Sequence, residues 1–369
     1  MQANEVRRVM KAMIRAKQEE GKSVVSFQET MIEEAVSALE KNDGPLILFG
    51  VKNTDQISRG LVGRLIAQPG FVFHTVDAMS ERGRAVDVER INPLTGRAMT
   101  GSSSGSCINI LKGINDLSIG TDGGGSVLAP AIATQLFSIM GKGMGLRGSV
   151  EKKSTDELAF VPGVGVISHS YEYCMKATRA LCQISDSEWK EASSESIRIA
   201  VPNPGNVQLP DGRDMHDAME SYLEELPDGV TIESVTAGDL QDRRESIAFL
   251  KDCFAKGYDA VLTLEGPVDL YGYGDSVMGV WGKNGKMGQQ KSGKYLVKSA
   301  NMVDATAITI PTDELATGLV LIGKSGRKSG IILMKLAESL AAQADRKALY
   351  QRYFLESHLN KSKGFGSEE

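Results

Sequence analysis

Serines crowded among glycines are the chemical feature of this chain. Between Asn92 and Ala131 there are two such clusters, Gly101-Ser-Ser-Ser-Gly105 and Asp122-Gly-Gly-Gly-Ser126, joined by a mostly apolar segment of helical length. Glycine permits dihedrals that a β-carbon forbids and lets backbone N–H groups come close to a ligand. Serine adds a hydroxyl. The combination suits an oxyanion site or an anion nest.

Other elements must hold those turns. Residues Gly105 to Asn115, lined by Cys107, Ile108, Ile110 and Leu111, read as a helix, and Leu117-Ser-Ile-Gly120 reads as a strand running into the second cluster. Ser126 then lies on a turn after a strand. Pro130-Ala131 opens the next helix, because proline fits a first helical turn. At the start of the chain, Val6, Met10, Met13 and Ile14 sit at helical spacing, as on a surface or dimer-facing helix. A second helix is expected from about 28 to 41, with Ile32, Val36 and Leu39 on its buried stripe. Gly44-Pro45 ends it, and Pro45 to Asn53 reads as a buried strand ending at Lys52. Taken alone, a strand-end lysine snorkels to water.

Further strands are expected at Phe71 to His74, Gly163 to Ser168, Ile197 to Val201, Asp259 to Leu264, Ala305 to Pro311 and Gly318 to Gly323. Residues 78–90 read as polar helix or loop. Helices are expected at Tyr171 to Ile184, at Asp214 to Glu225 and from 330 to 343. Strands separated by helices argue for an α/β fold, a central mixed, twisted β-sheet flanked by helices on both faces. The chain is expected to divide into N-terminal helices (1–43), a main α/β domain (44–345) and a C-terminal tail (346–369), frayed from Lys361 on. Within the domain, 205–245 is a peripheral insert and 266–293 a long loop or lid.

Composition excludes several classes of function. The 369 residues are 41% hydrophobic, ample for a core, and the formal net charge of −5 leaves no basic face for nucleic acid. Apolar runs such as Leu46 to Phe49 are far too short to cross a bilayer. Four cysteines, Cys107, Cys174, Cys182 and Cys253, show no CxxC pair, so neither a zinc site nor a disulfide framework is expected. The default is a cytoplasmic protein with no nucleic-acid or membrane partner.

Three motifs compete for the chemistry. Gly318-Leu-Val-Leu-Ile-Gly323-Lys324-Ser325 spells a P-loop, but its variable residues form a buried strand where a P-loop needs a phosphate-wrapping loop. Gly101-Ser-Ser103-Ser-Gly105 spells a nucleophile elbow, yet the preceding residues 94–99 do not read as a strand. That motif also needs a histidine, and His74, His169, His216 and His358 stand in no recognisable catalytic setting.

The third match covers both serine clusters. Thr100 to Ala131 resembles the signature segment of the amidase signature family, GGSSGGS, a helix, then GTD-x-GGS, without a gap. Asn92-Pro93 suits the family's Asn-Pro element, and Gly50-Val51-Lys52-Asn53 resembles its Val-Lys-Asp strand end. Looser similarity extends from about Gly44 to Leu340. The resemblance implies the amidase-signature fold, with nucleophile Ser126, cis-serine Ser102 and catalytic lysine Lys52. It places the oxyanion hole at the N–H groups of Gly123, Gly124, Gly125 and Ser126, with Asp122 and Ser103 supporting them. Leu128 and Ala129 stand where the family usually has an arginine, Thr100 and Ser104 replace glycines, and the chain is shorter than typical members. This is a divergent, shortened relative.

Amide hydrolysis needs a nucleophile, a base, an acid for the departing amine and donors for the oxyanion. With no suitable histidine, neutral Lys52 would take the proton of Ser102, and Ser102 that of Ser126. Lys52 must be desolvated to be neutral at working pH. No metal or organic cofactor is required. The implied partner is a small-molecule amide, with a homodimer possible. Two alternatives stay open: an amidotransferase subunit that draws ammonia from glutamine and needs a partner, and a catalytically silent binding protein of the same fold.

Overall fold

Six-residue runs such as Ile47–Lys52 and Gly163–Ser168 are buried at every position, the pattern of strands covered on both faces. A computed structural model describes residues 2–41, 44–153, 159–194, 196–224 and 226–344. The tail expected at 346–369 and His358 lie outside them.

The chain begins with α1 (Gln2–Gln18), β1 (Val24–Phe27), α2 (Met31–Lys41), β2 (Ile47–Lys52), α3 (Arg59–Ile66), β3 (Phe71–Asp77), β4 (Val86–Ile91) and β5 (Ala98–Thr100). The serine-rich segment supplies α4 (Ser104–Leu111), β6 (Leu117–Asp122) and α5 (Leu128–Ala133), followed by β7 (Phe137–Met140), β8 (Lys152–Lys153), β9 (Ala159–Phe160) and β10 (Gly163–Ser168). Then come α6 (Tyr171–Cys182), α7 (Asp186–Glu191), β11 (Ile197–Pro202), α8 (Met215–Leu223), β12 (Val230–Val235), α9 (Arg243–Ala255) and β13 (Ala260–Glu265). The described chain closes with α10 (Gly282–Gln290), β14 (Thr306–Pro311), β15 (Gly318–Gly323) and α11 (Arg327–Ala344).

Eleven strands form one sheet in the order β1-β3-β2-β6-β10-β7-β14-β15-β13-β11-β12. It is mixed: β2 runs parallel to β3 and β6, β10 runs antiparallel to β6 and β7, and β11 runs parallel to β12 and β13. Helices cover both faces. Val164 and Val166 of β10 pack in the cluster that contains Cys174, Ala177 and Leu181 of α6, whereas Ile167 packs with Cys107, Ile108 and Leu111 of α4. Alternation along a strand accounts for the division.

Several local expectations change. On α1 the buried residues are Val9, Ala12 and Ala16, while Met10 and Ile14 are exposed; small residues let this helix lie close to α2. On α2, Ala35 is buried and Val36 is exposed. Residues 78–90, read as helix or loop, contribute β4, which pairs with β5 in a separate two-stranded sheet. A strand therefore does precede Gly101, contrary to the reading of 94–99. The stretch 205–245 supplies β12, the edge of the main sheet. Residues 266–293, expected as a loop or lid, carry a 3-10 turn at Ser276–Trp281 and α10. The pairing of β12 with β11 and of β4 with β5 decides the two new strands. The P-loop spelling falls in β15, buried at every position. No helix among the described residues is long and apolar enough to cross a membrane.

Candidate active site

Lys52 ends β2, between β3 and β6, and is 2% exposed. Its Nζ lies 2.6 Å from Ser102 Oγ and 3.3 Å from the carbonyl oxygen of Thr121. Burial pushes its pKa down to about 7, against the opposing pull of Asp122. The strand end that would let a lysine reach water instead points this one into the protein.

Ser102 follows β5 and is reached through a cis Gly101–Ser102 peptide. Gly101 is required there, because a β-carbon would lie 2.2 Å from the carbonyl oxygen of Arg84. Ser103 and Ser104 lead into α4. Ser103 is fully buried and Ser104 donates to Asp87. A hydroxyl as enclosed as that of Ser103 meets no substrate, so the elbow reading fails on access.

The second cluster is organised by Asp122. Its buried carboxylate accepts the N–H groups of Gly125 at 2.7 Å, Val127 at 2.7 Å and Leu128 at 3.2 Å, winding the turn around itself. Burial pushes its pKa up, opposed by these donors. Gly125 adopts φ +98°, open to glycine at little cost. Here the expectation for the oxyanion donors changes, since the Gly125 N–H is already given to Asp122. The N–H groups of Gly123, Gly124 and Ser126 donate to no acceptor among the described residues.

Lys52, Ser102, Thr121, Gly123, Gly124 and Ser126 line one cavity of about 330 Å³. Thus the structure gathers residues spread over 75 positions of sequence. A larger hollow of about 630 Å³, beside Pro45, Gln68 and Arg179, contains none of them; the chemistry outweighs the size. Asp122 and Ser103 stand behind the cavity wall.

The outer wall comes from segments in which the sequence showed no chemistry. Phe160 of β9 packs on Gly123, and the Arg243 guanidinium lies 3.2 Å from where a β-carbon on Gly124 would be. Arg82, Arg84, Lys152 and Lys153 also face this space. Behind Gly125 runs the segment Tyr295 to Val297, whose N–H groups all donate to buried Glu265 at 2.6 to 3.0 Å. Burial raises Glu265 to about 7. Asp269 accepts from Thr100 Oγ1 at 2.7 Å and pairs with buried Lys294 at 2.6 Å, tying this wall to the strand before Ser102. The sequence reading singled out none of these wall residues, although the adjacent Lys152-Lys153 pair is a local mark of charge. The four cysteines are buried and free, and burial pushes Cys107 up to about 12.

No protein-family model matches the sequence, and no curated protein matches it. Solved structures do match in shape. A crystal structure described as an amidase superposes with a TM-score of 0.62 at 16% identity, covering 92% of this chain and 96% of its own. The native peptide amidase from Stenotrophomonas maltophilia gives 0.61 at 14% identity, over 95% and 94%. The 6-aminohexanoate cyclic dimer hydrolase gives 0.62 at 14% identity, over 92% of each chain. At these identities the likeness is one of fold, and this chain adopts the α/β architecture of the amidase-signature enzymes.

Proposed function

We propose that this chain is a divergent amidase-signature enzyme that hydrolyses a small carboxylic amide to acid plus ammonia or amine. The observation that carries the reading is the 2.6 Å approach of buried Lys52 Nζ to Ser102 Oγ, in the cavity that also holds Ser126. A buried lysine with its pKa near 7 is poised as a base at neutral pH.

Neutral Lys52 accepts the proton of Ser102 while Ser102 accepts that of Ser126, whose Oγ attacks the amide carbonyl. The oxyanion forms against the N–H groups of Gly123, Gly124 and Ser126, and each such donor is worth roughly 100-fold or more in rate. Ser102 then returns the proton to the departing nitrogen. Water, deprotonated by the same relay, cleaves the acyl-enzyme at Ser126. The Gly125 N–H stays with Asp122 throughout and keeps the turn in shape.

Intact-mass analysis after a fluorophosphonate probe tests this reading. One adduct is expected on the wild type, retained in Ser103→Ala and absent in Ser126→Ala. An adduct that survives Ser126→Ala overturns it.

A further inference from the structure

Amide hydrolysis by this relay needs one neutral lysine and a set of N–H donors. It does not need guanidinium groups or further ammonium groups, and each additional cation makes the cavity a poorer place for an uncharged ligand than for an anion. Yet Arg82, Arg84, Lys152, Lys153 and Arg243 all line the same space as Ser102 and Ser126. Among the described lining residues Asp275 is the one carboxylate, and it is paired with Arg84 and accepts the N–H of Val86 at 3.3 Å.

The cations differ in placement. Arg82 is largely exposed and leans on Glu81 at 3.7 Å. Lys152 and Lys153 form exposed β8, which pairs with β9, and β9 sets Phe160 on Gly123; neither lysine has a carboxylate partner among the described residues. Arg243 opens α9 and lies over Gly124, beside the expected oxyanion donors. Lys152 is close enough for its charge to contribute to the lowered pKa of Lys52. The cavity, at about 330 Å³, fits a small molecule. An anion entering this space meets its cationic partners on the wall formed by β8 and the start of α9.

Resting on the amide hydrolase reading, we infer that the substrate is a small amide bearing a carboxylate away from its scissile bond, gripped by Lys152, Lys153 and Arg243 while its carbonyl faces Gly123 and Gly124. A half-amide of a dicarboxylic acid is the simplest molecule of this class. Binding removes the carboxylate from water into a site that offers ammonium and guanidinium donors, and such charge-assisted bonds are the strong ones.

The test compares half-amides from malonamate to adipamate with the corresponding uncharged diamides, using the full chain. The expected result is a kcat/KM at least tenfold higher for the best half-amide than for its diamide, with the ratio shrinking several-fold in 0.5 M salt. Lys152→Gln/Lys153→Gln and Arg243→Gln each move that ratio toward one, through KM more than kcat. Because both lysines are exposed, the double variant keeps the test intact whatever Arg243→Gln does to folding. Diamides cleaved as fast as half-amides overturn the inference, as does a preference that survives both sets of variants. Labelling of Ser126 without turnover of any half-amide overturns the substrate class and leaves the hydrolase reading standing. No labelling and no turnover of any amide overturns both.

Discussion

The backbone N–H of Ser103 donates to the carbonyl oxygen of Ser126 at 3.3 Å. This bond ties the turn that carries Ser102 to the turn that carries Ser126, so two loops separated by α4 and β6 behave as one unit. Asp122 holds one side of the unit from within, and Lys52 closes the other from the end of β2. A relay of protons depends on such fixed spacing, because reach and alignment decide proton transfer before pKa does.

Removal of the groups that exchange protons should be catalytic in effect and mild in stability. Ser126→Ala and Lys52→Ala are each expected to lower kcat by ~10³-fold or more, with effects that are far from additive in the double variant, as for groups acting together. Steady-state kinetics on a turned-over amide checks this. A loss below tenfold in either variant would falsify the assigned relay.

The pH dependence follows from Lys52. Its pKa lies near 7, and only the neutral amine can accept a proton from Ser102. The kcat/KM should therefore rise with pH, reach half its plateau near pH 7 and lose about tenfold for each pH unit below that. A profile flat from pH 5 to 9 would remove Lys52 from the role of base.

Lys52 should also weaken the fold at neutral pH. Its folded pKa of about 7 lies below the ordinary 10.5, so between these values the unfolded chain binds more protons, and stability rises with pH. Replacement by methionine, similar in length and uncharged, removes that penalty. Lys52→Met is expected to melt at or above the wild-type temperature at pH 7, and the advantage should shrink as the pH approaches 10.5. Thermal melts at pH 7 and pH 10 read the difference, and a large loss of stability at pH 7 contradicts the argument.

Gly125 gives a backbone test of the turn. At φ +98°, with the carbonyl oxygen of Val297 3.2 Å from the β-carbon position, alanine is strained by its own geometry and by its neighbour. Gly125→Ala should cost roughly 1–2 kcal/mol in urea unfolding. It should also cut kcat more than KM, since Gly125 positions the neighbouring oxyanion donors while its own N–H is held by Asp122. Wild-type kcat in this variant would detach the turn from catalysis.

What the sequence determined by itself was local. Buried strands such as β2, β6 and β10 show as apolar runs, and the serine clusters show as glycine beside serine, because a strand's burial and a turn's dihedral demands are written in neighbouring residues. The two glycine–serine clusters stand out in one segment, whereas Lys52, far upstream of them, is picked out only by the family resemblance. Only the tertiary structure decided the rest. Whether Lys52 reaches water or Ser102 depends on β3 and β6 lying on either side of β2, partners set by sheet order. The short strands β4 and β5 form because they pair with each other, and the buried stripe of α1 runs through Val9, Ala12 and Ala16 because the first two pack on α2 and Ala16 packs on Val24 and Ile114. The Gly125 N–H is spent on Asp122 through a turn conformation that spacing alone does not reveal. Lys152, Phe160 and Arg243 lie far from Ser126 in sequence and meet it across the cavity, since charge and packing act through space and not along the chain.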